Sequence, residues 1–207
     1  MTAAAPAPPP LVLTVGHSTR SLEELIALLH AHEVRLLADV RTVPRSRTNP
    51  QFNRETLPAA LAAAGIDYVH LPALGGLRHA RPDSTSLAWR NASFRGYADY
   101  MQTPEFAAAV ADLVARARGA RLAIMCAEAV PWRCHRSLVA DALTARGVGV
   151  EHIVSPKRRD PHRLTPFARV AGERVTYPAP QPELPGVAPA TSPAAARRRG
   201  GAPRGGR

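Results

Sequence analysis

A chain of 207 residues, 45% of them hydrophobic, is long enough for one well-buried core and short for two, and no apolar run approaches the roughly 18 residues of a membrane span. Its net charge of +11 argues for a polyanion partner less strongly than it first suggests, because residues 1–155 carry only +3 and segments 156–177 and 178–207 add +4 each. A single lysine, Lys157, excludes a lysine phosphate loop and a core Schiff base, and two cysteines close in sequence exclude a disulfide framework spanning the fold.

Residues 1–10 are a Pro-rich leader lacking the basic and long apolar regions of a secretory signal; they are expected to be disordered, in a cytoplasmic protein with no membrane contact. Leu11 to Val15 reads as a buried strand ending at Gly16-His17-Ser18. Ser21 with Glu24 makes a capping box before the periodic Leu22, Leu25, Ile26, Leu28 and Leu29, which predicts a helix to about His32. Val34 to Arg41 is the second strand, with Asp39 and Arg41 at its C-terminal end. Pro44 and Pro50, with Arg45 and Arg47 between them, mark a loop. Asn53 or Thr56 caps a helix through Leu61 that stops at Gly65, and Ile66 to Pro72 is strand three, carrying His70.

From Ala73 to about Phe94 there is no clear periodicity, and a loop of that length in a compact domain is usually functional or disordered. Tyr97 to Met101 reads as a helical turn, and Thr103-Pro104 opens a helix to Gly119. Arg121 to Cys126 is strand four. A polar turn follows, then a helix from about His135 to Gly147, and Val148 to Val154 is strand five. The remainder is expected to wrap the surface to Tyr177 and to be disordered over 178–207.

Five strands alternating with helices predict a single α/β domain over residues 11–177. Its mostly parallel five-stranded sheet, flanked by helices, would be doubly wound in a Rossmann- or rhodanese-like layering. Such sheets bind ligands outside the carboxyl ends of their strands. That edge gathers His17, Asp39 with Arg41, His70, Cys126 with Glu128, and His152.

Several motifs occur together in order: Val15-Gly16-His17-Ser18 with Ser21-Leu22, Asp39-Val40-Arg41 with Pro44-Arg45-Ser46, Asn49-Pro50-Gln51-Phe52-Asn53, Leu74-Gly75-Gly76, Phe94-Arg95-Gly96-Tyr97, and Cys126-Ala127-Glu128 through Cys134-His135-Arg136. In these the chain resembles the DUF488 family, a bacterial and archaeal group with no established function. The resemblance covers roughly residues 11–177 and implies a shared domain without naming an activity.

Cys126 sits where rhodaneses and cysteine phosphatases place a nucleophile, at a strand end before a turn into a helix with arginines nearby, which lowers a thiol pKa. A phosphate cradle, however, wants glycine-rich N–H groups and an arginine after five intervening residues. Here Arg133 comes one residue later, the loop has no glycine, Pro131 lacks a donor, and Glu128 repels an anion. Packing alone would equally account for a free cysteine.

The other candidates each keep two readings. Cys134 is a resolving thiol or a helix-start residue. Glu128, expected to be buried between arginines, is an acid-base group or closes a structural ion pair with Arg41 or Arg136. His17 contacts ligand or caps its turn. Arg41, Arg45 and Arg47 are anion forks or solvated charges, and Trp132 stacks on a ring or plugs the edge of the core. Cys126, Cys134 and His135 with His17 or His70 would be needed for a metal, but the spacing is not a standard zinc one, and no metal or cofactor is expected.

The leading expectation is an enzyme with a thiol-containing pocket acting on a small anionic or nucleotide-like ligand. Cys126, Glu128 and His17 would be catalytic, and Arg41, Asp39, Arg45, His70, Trp132, Arg133, Cys134, His135 and Arg136 would bind substrate. The alternatives are a nucleic-acid-binding module using the arginine loops and the basic tail around Arg197-Arg198-Arg199, and a thiol redox protein.

Overall fold

The computed structural model describes residues 9–180, so the expectations for most of the leader and nearly all of the basic tail lie outside the described residues. In chain order the elements are β1 (Leu11–Gly16), α1 (Leu22–Ala31), β2 (Leu36–Asp39), α2 (Leu57–Ala63), β3 (Asp67–His70), α3 (Ala92–Tyr100), α4 (Pro104–Gly119), β4 (Leu122–Cys126), α5 (Arg136–Ala145), β5 (Gly149–Ser155), β6 (Arg158–Pro161), β7 (Arg169–Ala171) and β8 (Arg174–Thr176). The main sheet has the order β3-β2-β4-β1-β5-β6. Its first five strands are the predicted parallel set, and β6 is added antiparallel to β5.

Alternation along β4 separates the two layers. Ala123 and Met125 pack with Leu13, Val15 and Leu37 against Leu25 and Leu29 of α1 and Leu57 and Leu61 of α2. Leu122, Ile124 and Cys126 face the other way, into a core with Tyr97 of α3, Phe106 and Val110 of α4, and Leu138 and Leu143 of α5. Each fully buried leucine, isoleucine, valine, methionine or phenylalanine among them contributes about 1.5–3 kcal/mol. No helix among the described residues is long and apolar enough to cross a membrane.

Local signals explain most boundaries. Both arms of the Ser21–Glu24 capping box form, and Gly65, at φ 70, ends the segment after α2. Two expectations are corrected. The helical turn at Tyr97 is a nine-residue helix that begins earlier, because the Asn91 side chain accepts from the Ser93 and Phe94 N–H groups. Gly96 weakens the helical signal there, and it is needed because any Cβ would collide with the backbone of His79 and Ala80. Residues 158–176 do more than wrap the surface. They contribute β6 and a β7–β8 hairpin turned by Gly172 at φ 60. β6 is a short polar edge strand with no apolar alternation to announce it.

A buried chain of polar groups fastens this C-terminal segment. Asp141, fully buried on α5, accepts from His162 Nε2 at 2.8 Å, from the Tyr177 hydroxyl at 2.7 Å, and from both the N–H and hydroxyl of Thr165. A proton on His162 Nε2 leaves its Nδ1 to accept from His152 Nε2 at 3.0 Å, and His152 Nδ1 then accepts from the Thr14 hydroxyl at 2.7 Å. In this arrangement the His152 ring donates through one nitrogen and accepts through the other, as only a neutral imidazole can.

Burial first, and then the neighbouring His162, lowers His152 from 6.5 to about 4. A folded pKa below the unfolded one means that the contribution is complete above about pH 6.5 and is lost as pH falls toward 4. The thermal midpoint is therefore expected to drop between pH 6.5 and 4.5, and less steeply in His152→Gln. Parallel curves for the two proteins would remove His152 as the cause.

Candidate functional site: a dithiol pocket at the sheet edge

Because β2, β4 and β1 are adjacent and parallel, their carboxyl ends deliver Asp39 to Arg41, Cys126 and His17 to one place. The ladder continues past the strands: His17 N donates to Cys126 O at 3.0 Å, Ser18 N to Ala127 O at 2.9 Å, and Val40 N to Met125 O at 3.0 Å. Beyond Cys126 the loop folds back so closely over β1 that a Cβ on Gly16 would collide with the Glu128 carbonyl. From beneath, the buried Arg136 donates Nη1 to Glu128 O at 2.8 Å and Nη2 to Ala129 O at 3.1 Å.

Cys126 and Cys134, 8% and 4% exposed, share one imidazole. His135 Nδ1 lies 3.9 Å from Cys126 Sγ and 3.7 Å from Cys134 Sγ, and the three atoms all fall within 4.8 Å of one another. His135 Nε2 is 3.1 Å from the Val40 carbonyl, which can only accept. The Nε2 proton is thereby fixed, and Nδ1, facing both sulfurs, is the atom left to exchange a proton with them. Gly76 lets the 75–94 segment pass over this ring, since a Cβ there would strike it.

The adjacent Cys134 thiol, then His135 and the charge of Arg136, hold the Cys126 thiol far below the usual range, against the opposing cost of burial. The nearby Cys126 sulfur, together with burial, pushes Cys134 up, which favours one thiolate beside one thiol.

Beside the thiols, Asp39 is fully buried and accepts from Arg41 N at 3.0 Å, Nε at 2.9 Å and Nη2 at 2.6 Å, and from Tyr68 OH at 2.9 Å. Arg41 also donates to Phe52 O at 2.7 Å and, through Nη1, to His17 Nε2 at 3.3 Å. His17 Nδ1 bonds the Ser18 carbonyl at 2.9 Å, which fixes its tautomer. Burial, helped by the Arg41 cation, lowers the His17 pKa below its usual value, so the ring stays neutral.

These groups line a cavity of about 710 Å³ that holds His17, Arg41, Arg45, Cys126, Glu128, Arg133, Cys134 and His135 together. Arg45 and Arg133 are exposed at its rim, and neither side chain bonds any of the described residues. The remaining candidates lie elsewhere. Asp39 stands behind Arg41, His70 Nε2 bonds the Arg41 carbonyl at 2.8 Å, and Arg136 is sealed beneath the loop. Trp132 is 74% exposed and faces a different cavity of about 780 Å³, so it does not plug the core.

Glu128 corrects an expectation outright. It is exposed rather than buried between arginines, and its carboxylate accepts from Val130 N at 3.0 Å while its carbonyl, not its side chain, meets Arg136. Sequence reasoning also passed over Ser46, Asn49, Leu77 and Ser93 as pocket residues. The aperiodic stretch ending near Phe94 was the available signal for the last two. Of the proposed ligand set, Cys126, Cys134 and His135 converge closely enough to hold a soft divalent ion, whereas His17 and His70 are engaged with Arg41.

Fold and site together define an α/β protein with a cysteine pair at the carboxyl edge of its parallel strands. The chain belongs to the DUF488 family: the model described as "Domain of unknown function DUF488" matches residues 21–143. No curated protein matches the chain. No solved structure matches it either.

Proposed function

We propose that the protein is an enzyme in which the Cys126 thiolate attacks a small anionic or nucleotide-like substrate seated in the 710 Å³ cavity. The observation that carries this reading is the paired thiols and imidazole lying below two rim arginines that have no partner among the described residues. Arg45 and Arg133 hold the substrate's charge, and His135 Nδ1 exchanges protons with the sulfurs. Arg41, locked by Asp39, keeps neutral His17 against the cavity. Positioned proton transfer of this kind is worth about 10²- to 10⁴-fold in rate.

The loop itself argues against phosphatase-like chemistry. Its Val130 N–H is taken by Glu128, its Arg133 and Cys134 N–H groups by the Val130 and Pro131 carbonyls, and Arg136 by two carbonyls. They are among the groups a phosphate cradle would require. The nucleic-acid alternative would use the same arginine loops, with Trp132, which is turned away from the thiols, and the basic tail, which lies outside the described residues.

Thermal-shift screening of nucleotides and phosphorylated, sulfonated and carboxylated metabolites tests the binding half of the proposal. A ligand at about 100 times its Kd adds about 2.7 kcal/mol, a rise of about 5–10 °C for a domain of this size. Arg45→Ala with Arg133→Ala should remove most of that rise. Anions that shift both proteins equally would count against the rim arginines as the anchor.

A further inference from the structure

The reading of Cys126 as a nucleophile leaves a second thiol without a task. Cys134 is 4% exposed, and its Sγ, besides the His135 ring, has Cys126 Sγ within 4.8 Å. A sulfur so placed is shielded from solvent and is positioned to meet an adduct formed on Cys126. His135 Nδ1 faces both sulfurs, so one base serves both.

The identity of that adduct is constrained by chemistry. An acyl or phosphoryl group on Cys126 would at most migrate to Cys134, leaving the same problem of hydrolysis. An adduct bonded through sulfur is different, because a neighbouring thiolate displaces it directly. The occupied N–H groups of Val130, Arg133 and Cys134 fit this choice, since attack on sulfur develops no oxyanion for them to stabilise.

Resting on the nucleophile reading, we propose that the substrate is an anionic two-electron acceptor of the disulfide or persulfide class, and that Cys134 resolves the intermediate. In the first step the Cys126 thiolate attacks one sulfur of R–S–S–R′; a Cys126–S–R bond forms, the substrate S–S bond breaks, and R′–S⁻ leaves. In the second, His135 Nδ1 takes the Cys134 proton. The Cys134 sulfur then attacks Cys126 Sγ, a Cys126–Cys134 disulfide forms, and R–S⁻ leaves and can take the proton back. The substrate has gained two electrons, the Cys126 thiolate and the Cys134 thiol have lost them, and the one proton released, from Cys134, passes through His135 to a leaving thiolate. A small thiol reductant restores the pair.

Glutathione disulfide, an anionic member of the class, is the probe, with intact mass as the readout. Reduced wild-type protein is expected to finish two hydrogens lighter, with no adduct and no thiol left to iodoacetamide. Cys134→Ser should stop with one glutathionyl group on Cys126, and Cys126→Ser should stay unmodified. Cys134→Ala, checked for a cooperative melt, guards against a folding defect in the serine variant. Wild-type protein that stops at a stable glutathionyl adduct would overturn the role of Cys134 and leave Cys126 as a nucleophile. If neither wild type nor either Cys134 variant is modified, the nucleophile reading fails as well.

Discussion

Iodoacetamide is expected to alkylate native Cys126 at a rate that stays nearly flat from about pH 5 to pH 8, while in the unfolded chain the rate rises about tenfold per pH unit toward a thiol pKa of about 8.5. The shape of the profile is diagnostic and the absolute rate is not. At pH 6 an ordinary thiol is only about 0.3% ionised, so full ionisation of Cys126 raises the thiolate population about 300-fold. Intrinsic nucleophilicity falls with pKa at a slope of about 0.4–0.5, however, about threefold per unit. The second effect offsets much of the first, so a single-pH comparison would say little.

The flat profile follows from the sulfur's neighbours: the Cys134 thiol first, then His135 and Arg136, against the opposing cost of burial. Cys134, pushed upward by the Cys126 sulfur and by burial, should stay unlabelled across the range. Native labelling that tracks the unfolded curve would remove the thiolate, and with it the proposed chemistry.

The largest stability effect is expected at Asp39. Asp39→Asn leaves the Arg41 guanidinium, 7% exposed, without its counter-charge while its bonds to Phe52 O and His17 persist. Breaking one side of a buried pair costs about 3–5 kcal/mol, whereas replacing both partners with apolar groups is often near neutral. For a domain of this size the thermal midpoint should fall by about 6–20 °C. Asp39→Leu combined with Arg41→Met should recover much of that loss. A single-variant loss below about 1 kcal/mol would mean that water reaches the guanidinium and that the pair behaves as a surface bridge.

How far these features were legible from sequence depended on whether they were local. The capping box at Ser21, the proline opening of α4 and the polar strand ends are written in adjacent residues, and they placed His17, Asp39, Arg41 and Cys126 on one edge. The Glu128 error shows the limit. A sequence identifies a carboxylate near an arginine but not which oxygen the arginine will reach, and here the backbone carbonyl was reached instead. The contact of Gly76 with the His135 ring and the chain from Thr14 through two histidines to Asp141 join residues far apart in sequence. Neither leaves a periodic trace.

Arg136 also bears on which molecules the pocket would sort. By drawing two loop carbonyls inward, it closes the underside of the thiol loop, and the cations free to meet a ligand stand at the rim. Under the proposed reading, a substrate's charge rests at the mouth while its reacting atom lies at the floor. Reach, the distance between charge and reactive sulfur, then selects among candidates as strongly as charge does. Compact anions whose charge and reactive atom coincide would be poor fits, and longer ones would be favoured.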